Sequence, residues 1–337
     1  MTTATTASTA PAPGTAARGS GRPPAATRLR AGLAHGSPAL LSLVALVVIV
    51  ALAAAIQPGI LSVTGLSLML MSAVPLVFAA QAQMIIMSVG DIDLGIGNLV
   101  GLVTVIAATL LATNPVLGVL MLGAVLVVYA LLGLIVQKRG VPSIIVTLGM
   151  SFVWLGVGLQ LLPTPGGATP AWLTAIGSWR SDIVPPPLVF IALAALVGWW
   201  LTRRSRVGAR MRALGSSAAT LDKAGWSLTR TRVTAYVLAA VLILVSGLLL
   251  AAQTRSGDIN SASNFTLTTI AAVILGGGTF SGGRALPLGT TLGAVTLGLI
   301  SVLLSLVALP SSMQAGAQGV IVLAVLAGRI ITERFSR

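Results

Sequence analysis

The chain has 337 residues, of which 56% are hydrophobic and only 8% are charged, and its formal net charge is +14. Soluble domains carry roughly 25% charged residues, so these few charges cannot cover a water-facing surface and we expect lipid to surround most of the chain. With no cysteine, one histidine and six acidic residues, the composition excludes disulfides and thiol chemistry and supplies neither a metal site nor the groups of an enzyme.

The first 37 residues differ in composition from the rest. Residues 1–37 are rich in Thr, Ala, Pro, Gly, Ser and Arg and contain no acidic residue, a composition that cannot bury a core. We expect a disordered cytoplasmic tail. The segment is basic and acid-poor like a transit peptide, but it is too long before the first apolar run to begin a signal peptide.

From residue 38 the chain alternates apolar runs with short breaks. A helix needs about 20 apolar residues to cross the ~30 Å hydrocarbon core of a membrane. Ten runs approach this length, at residues 39–56, 64–87, 94–112, 116–136, 143–162, 188–202, 233–252, 265–280, 288–308 and 315–331. The sequence therefore predicts an all-α membrane protein of about ten transmembrane helices over residues 38–332, with a cytoplasmic tail at 333–337. The sixth and eighth runs are short, and each is either a tilted, a broken or a re-entrant segment.

Basic residues are distributed very unevenly between the breaks. With ten spans and both termini in the cytoplasm, 18 of the 20 basic residues lie inside and only Arg180 and Arg255 lie outside. Cytoplasmic loops carry the excess of Lys and Arg, so this split supports the span count and the orientation. It also explains the net charge without a nucleic-acid partner, for which aromatic residues are too few. Two longer loops follow, one external at 163–187 and one cytoplasmic at 203–232.

The break near residue 90 contains two acidic residues. Asp91 and Asp93 lie between two apolar runs, among glycines at positions 90, 95 and 97. Acidic groups at membrane depth are costly and usually functional, and glycines permit a broken helix that lines a cavity. The alternative is a plain cytoplasmic turn with solvated carboxylates, in which Asp93 caps the next helix. The sequence leaves both interpretations open.

A glycine-rich segment occupies the end of the eighth run, up to Arg284. Such segments let helix backbones approach closely, and we predict a packing or turn role for Gly276, Gly277, Gly282 and Gly283. The segment lacks the lysine of a phosphate-binding loop, and the chain contains no such loop elsewhere. Any ATP-driven activity therefore needs a separate subunit that binds ATP and magnesium, and we expect no cofactor or metal on this chain.

The cytoplasmic loop has a helical pattern of small and leucine residues, at Leu214, Ala218, Leu221 and Gly225. Ser216 or Ser217 is placed to cap a short helix, and Gly225 is placed to end it. Such a helix either lies on membrane lipid or docks on a soluble partner. The periodicity does not distinguish the two.

Four motifs in these segments resemble, in the same order, those of the permease subunits of ribose-type sugar ATP-binding-cassette importers, a group that includes autoinducer-2 and nucleoside permeases. They read Gly90-Asp-Ile-Asp-Leu-Gly-Ile-Gly97, Pro142-Ser-Ile-Ile-Val-Thr-Leu-Gly149, Gly208-Ala-Arg-Met-Arg-Ala-Leu-Gly-Ser-Ser-Ala-Ala219 and Ile274-Leu-Gly-Gly-Gly-Thr-Phe-Ser-Gly-Gly-Arg-Ala285. Asp93 matches the aspartate of the family, whereas Asp91, Gly95 and Ser217 depart from its pattern. Each motif is weak alone, but four in the same order are a strong signal, and the resemblance as a whole spans about residues 40–332.

The resemblance implies a transport subunit of a bacterial inner membrane that performs no bond chemistry. Its expected partners are an ATPase subunit, an extracytoplasmic solute-binding protein, and a second permease that is either a copy of this chain or a relative. The expected solute is small and polar, such as a pentose or a hexose. The helix at 208–225 is implied to couple the chain to the ATPase through Gly208, Arg210, Leu214, Gly215, Ala218, Ala219 and Leu221.

Polar residues of the central spans are candidates for the translocation pathway, namely Asp91, Asp93, Asn98, Thr147, Ser151 and Gln160. They are few, as expected where a binding protein supplies specificity. The alternative function is a self-sufficient secondary transporter that couples an ion through Asp91 and Asp93.

Overall fold

A computed structural model describes residues 38–310 together with residues 313, 314, 316, 317, 319 and 320. The predicted tails, 1–37 and 333–337, and the predicted tenth span beyond residue 320 lie outside the described residues. Within the part described, no β-strand occurs, and one isolated antiparallel bridge joins Gly166 to Gly257. The all-α prediction is confirmed for this part of the chain.

The helices are numbered in chain order, with a 3₁₀ turn at Pro58–Leu61 and a π turn at Trp200–Arg204. They are α1 (Pro38–Ile56), α2 (Val63–Met71), α3 (Ala73–Ser88), α4 (Ile96–Ala108), α5 (Leu110–Thr113), α6 (Pro115–Arg139), α7 (Ser143–Leu161), α8 (Ala171–Gly177), α9 (Pro186–Trp199), α10 (Arg206–Ser216), α11 (Ala218–Lys223), α12 (Leu228–Thr254), α13 (Phe265–Leu275) and α14 (Pro287–Leu306).

Six helical segments of the described residues are long and apolar enough to cross a membrane. The helices α2 and α3 form a seventh if they count as one span, because they meet at a bend of 46°. The sixth predicted span is long enough once α9 and the π turn are taken together, over Pro186–Arg204. The number ten is therefore not reached by the described residues, in which α1 and α13 contribute shorter apolar segments.

The eighth predicted span is shorter than its apolar run. The prediction placed a helix over 265–280, but α13 ends at Leu275. The chain turns there because Gly277 has a φ of +101°, a region that favours glycine, and because Gly276 lies against the backbone at Gly289. At ~1.5 Å per residue, the 11 residues of α13 cover only about half of the hydrocarbon thickness. This segment is thus a half-span that ends in a glycine loop.

The core of the molecule surrounds α3. Every residue of α3 is buried, and this helix packs against α12, α13 and α14. The outer helices α6 and α7 bury only a minor share of their residues, so their apolar side chains are available to lipid. A membrane bundle is expected to have this arrangement, in which a fully buried helix at the centre is surrounded by helices that face lipid.

Hydrogen bonds between loops show which loops lie together at each end of the bundle. At one end, the amide of Gly283 donates to the carbonyl of Ser88 at 3.0 Å. At the other end, the amide of Ala168 donates to the carbonyl of Ala108 at 3.1 Å, near the bridge of Gly166 to Gly257. The basic loop 203–232 lies at the first end. The loops that the charge distribution predicts to be cytoplasmic thus lie together at the first end, and the predicted external loop 163–187 lies at the other.

Candidate translocation and coupling sites

Asp93 lies in the break between α3 and α4 and is fully buried. Its Oδ1 accepts a hydrogen bond from the amide of Gly95, and its Oδ2 accepts one from the hydroxyl of Tyr129, both at 2.7 Å. The Tyr129 ring stacks nearly parallel to Trp154, with centroids 6.5 Å apart. Because α6 continues for ten residues beyond Tyr129, this bond lies about 15 Å inside the end of that helix.

Asp91 is neutralised within the chain. Its Oδ2 lies 3.0 Å from Nε of Arg232, in the second turn of α12. The same guanidinium donates through Nη1 to Oε1 of Gln137 near the end of α6, at 2.7 Å. The carboxylate is 5% exposed, so an unpaired charge there would be costly. The ion pair joins the break to α6 and α12.

The interpretation of this break as a solvated cytoplasmic turn is wrong. Both carboxylates are buried, which solvated groups are not. The N-cap of α4 is Gly95, and no side chain accepts the capping hydrogen bond there, so the predicted cap by Asp93 is also wrong. The break is instead a buried, broken connection between two central helices.

Three hydroxyl residues on one face of α7 bind the break. Ser143, Thr147 and Ser151 follow one another at four-residue spacing, which places them on the same side of a helix, and all three are buried. Ser143 Oγ accepts from the amide of Ile92 at 3.1 Å, and Thr147 Oγ1 accepts from the amide of Leu94 at 3.0 Å. Asn98 completes the series by donating to Ser151 Oγ at 2.9 Å.

Five of the six predicted pathway residues therefore meet around this break. Gln160 does not join them, because it is exposed two turns further along α7. Sequence reasoning missed Tyr129, Arg232, Gln137 and Ser143. One signal was available: Tyr129 is one of two tyrosines and lies within a long apolar run, where a hydroxyl needs a partner.

Glycines bring three of the sequence motifs into backbone contact at the basic end of the bundle. We call Gly90, Gly215, Gly282 and Gly283 the glycine junction. A Cβ at Gly282 would lie 2.8 Å from the amide nitrogen of Gly90 and 3.0 Å from Cα of Gly215. A Cβ at Gly215 would collide with the carbonyl oxygen of Ser88 and lie 2.5 Å from the nitrogen of Gly283. Only glycine permits this approach, and it joins α10 to both broken connections.

The basic loop forms two consecutive short helices, α10 and α11, joined at Ser217, and we call this pair the hairpin. Ser205 caps α10 by accepting from the amide of Gly208 at 2.9 Å, and Ser217 caps α11 by accepting from the amide of Thr220 at 3.2 Å. Gly225, with a φ of +73°, follows the end of α11. The predicted cap at Ser217 and the predicted end at Gly225 are confirmed.

The hairpin divides the predicted coupling residues into two sets. Gly208, Leu214 and Leu221 are buried in the chain itself, so they do not form part of an exposed surface, and their role in coupling stays a prediction. Ala218 and Ala219 are exposed. Among the predicted coupling residues, those open to a partner are therefore Arg210 and the start of α11, and the leucines hold the hairpin on the bundle.

The basic loop 203–232, which includes the hairpin, carries more positive charge than the acidic residues of the described chain neutralise. Eight basic residues and one acidic residue lie between positions 203 and 232. Among the described residues, the only salt bridge of this loop is that of Arg232 with Asp91. Burial, together with the nearby charge of Arg203, lowers the pKa of the Arg212 guanidinium. Positive charges that lie close together favour the binding of a negatively charged partner from outside the chain.

Comparisons with known proteins agree with this geometry. A family model described as branched-chain amino acid transport system, permease component, matches residues 39–326. The chain is similar to the ribose import permease protein of Escherichia coli, with 28% identity over 295 residues that cover 84% of this chain and 90% of that protein. A probable ABC transporter permease protein of Escherichia coli is 33% identical over 287 residues, covering 83% and 86%.

A further relative is the autoinducer 2 import system permease protein of Salmonella typhi, with 25% identity over 267 residues that cover 76% of this chain and 80% of that protein. No solved structure shows significant similarity. The family match begins in the first helix of the described bundle.

Proposed function

Because the chain belongs to this family of transport-system permeases and is a multi-pass protein of the bacterial inner membrane, we propose that it carries a monosaccharide such as a pentose or a hexose. Similarity to a ribose import permease protein over 84% of the chain supports this class of solute. In this proposal an extracytoplasmic binding protein delivers the solute. A separate ATPase subunit that binds ATP and magnesium drives transport, and a second permease completes the pathway.

The observation that carries the mechanism is the glycine junction. The hairpin of α10 and α11 exposes Ala218 and Ala219, where the ATPase would dock. Its other side touches the break before α4 and the loop after α13 through glycine backbones. Movement of the hairpin would therefore act directly on the two interrupted helices, without flexible side chains in between. Such a rigid contact suits alternation between outward-facing and inward-facing states.

The polar groups around the break have a supporting role in this mechanism. Asp91, Asp93, Thr147 and Asn98 are bonded to partners within the chain. They hold an irregular backbone that would otherwise have unsatisfied groups at membrane depth. In this proposal Asp91 is neutralised by Arg232 and Asp93 is held by hydrogen bonds from Gly95 and Tyr129. We therefore place these residues beside the pathway as its rigid wall and not as ion-coupling groups.

Reconstitution tests the proposal. The permease, its ATPase subunit and its binding protein are placed in vesicles, and ATP-driven uptake of labelled pentoses and hexoses is measured. We expect Ala218→Arg to lower uptake and co-purification of the ATPase at least about tenfold, because a charged side chain would occupy the docking surface. Ala175→Arg is the matched control for co-purification of the ATPase, since Ala175 is exposed on α8 at the opposite end.

Two results would contradict the proposal. Uptake driven by a proton gradient without the ATPase subunit would identify a secondary transporter. Full association and uptake with Ala218→Arg, at an unchanged thermal midpoint, would remove the start of α11 from the docking surface.

A further inference from the structure

A pocket of about 230 Å³ lies where the hairpin meets α12, lined by Val207, Arg210, Gly225, Trp226, Ser227, Arg230, Thr231 and Thr234. It is smaller than the ~300–1,000 Å³ of sites that enclose a whole drug-sized molecule. Its size suits part of a molecule, such as a headgroup.

The lining combines two positive charges, an aromatic ring and hydroxyl groups. The Arg210 guanidinium lies over the Trp226 ring, 5.1 Å from its centroid, which holds that charge at the rim. Arg230 lines the pocket from α12, and the lining contains no acidic residue. Neither arginine has a salt bridge within the described part of the chain. The charge of the lining therefore suits an anion.

The position of the pocket indicates the source of the anion. Thr231 and Thr234 belong to the first two turns of a membrane span, Leu228–Thr254, whereas Val207 and Arg210 belong to a hairpin between spans. We therefore expect the pocket to lie at the level of the membrane surface. Tryptophan is enriched at that level, and basic pockets beside spans bind the headgroups of anionic lipids. The exposed docking residues of α11 do not line it.

We propose that this pocket binds the phosphate group of an anionic phospholipid, with Arg210 and Arg230 as the anion ligands and Trp226 as the interfacial anchor. The proposal reassigns Arg210, which the sequence placed in the ATPase contact, to the membrane surface. It needs only that the chain spans a membrane, so it stands or fails separately from the proposed transport function. A bound lipid would fix the hairpin against α12.

The test uses the purified full chain in detergent, stripped of lipid. Phosphatidylglycerol and, separately, phosphatidylcholine are added, and retention is measured by native mass spectrometry together with the thermal midpoint. We expect selective retention of phosphatidylglycerol and a higher midpoint with it. In the variant Arg210→Gln with Arg230→Gln, retention should weaken roughly 25-fold, at about fivefold for each arginine.

The matched control is Arg203→Gln with Arg204→Gln, which removes two exposed charges of the same loop that do not line the pocket. It should retain phosphatidylglycerol as the wild type does. Equal loss in both double variants would mean a diffuse charge effect and would overturn the site. Protection by inorganic phosphate alone, without lipid, would overturn the lipid as the source.

A third arm distinguishes a protein partner. If the pocket variant keeps phosphatidylglycerol but no longer co-purifies with the ATPase subunit, the pocket belongs to the subunit interface and the proposal is wrong. If instead the variant loses the lipid and Ala218→Arg alone loses the ATPase, the lipid site and the docking surface are separate, as proposed.

Discussion

At the scale of single residues, the two aspartates of the break differ in how their charge is balanced. Asp91 has a cationic partner in Arg232. Asp93 has none within the described residues and relies on hydrogen bonds from Gly95 and Tyr129. Hydrogen bonds to a charged group stabilise more than neutral ones, so the Tyr129 hydroxyl has a larger effect on stability than its few atoms suggest.

Tyr129→Phe tests this bond with little change of shape. Since the carboxylate of Asp93 would lose a donor in a buried site, we expect the free energy of unfolding to fall by about 1.5–3 kcal/mol. Ser178→Ala, which removes an exposed hydroxyl, should change it by less than about 0.5 kcal/mol. Both are measured by thermal unfolding in detergent. Equal stability of the two variants would show that the Tyr129 hydroxyl does not support the break.

At the scale of helices, the molecule connects its interrupted elements through backbone contacts. The ends of α3 and α13 do not continue as regular spans, and each end meets α10 at the glycine junction. Close backbone approach between membrane helices depends on residues without side chains. The hairpin and the two interrupted helices should therefore move as a unit, and a single methyl group at the contact should disturb transport more than folding.

Gly215→Ala places that methyl group at the contact. It would collide with the carbonyl of Ser88, so we expect ATP-driven uptake to fall more than about tenfold, while the ATPase still co-purifies through α11. Gly149→Ala is the matched control, because its Cβ would meet no atom within 4 Å. Normal uptake with Gly215→Ala would show that the junction does not transmit the movement.

At the scale of the whole molecule, charge determines the predicted direction of insertion. The basic hairpin and the glycine junction share one end, and the loop near Gly166 and Gly257 forms the other. Positive loops are retained in the cytoplasm. In this predicted orientation the proposed ATPase surface and the proposed lipid pocket face the cytoplasm, and the 163–187 loop faces outward toward the proposed binding protein.

Single cysteines test this orientation directly, because the chain has no cysteine to remove. Thr164 and Ala219 are exposed at opposite ends. We expect Thr164→Cys to react with a membrane-impermeant maleimide in intact cells, and Ala219→Cys to react only after permeabilisation. The reverse pattern of labelling would invert the topology and separate the hairpin from any cytoplasmic ATPase.

Local features of this protein were predictable from the sequence alone. Apolar runs of span length identified a membrane protein, the distribution of arginine and lysine predicted its orientation, and Ser217 and Gly225 marked the ends of a short helix correctly. Each of these depends on composition or on residues that are neighbours in the chain. The exact end of α13 at Leu275 was not predicted, since glycine is nearly neutral in hydropathy and does not interrupt an apolar run even where it ends the helix.

Only the tertiary structure decided which of these features meet. Tyr129 and Asp93 are separated by 36 positions, and the glycine junction joins residues from three separate motifs. Such contacts leave no periodic signal, because burial and bonding depend on how the helices pack and not on spacing along the chain. The sequence by itself therefore determined a basic-ended membrane bundle, whereas packing decided that both acidic residues of its break are bonded within the chain, that its leucines are hidden, and that its glycines join the hairpin to the interrupted helices.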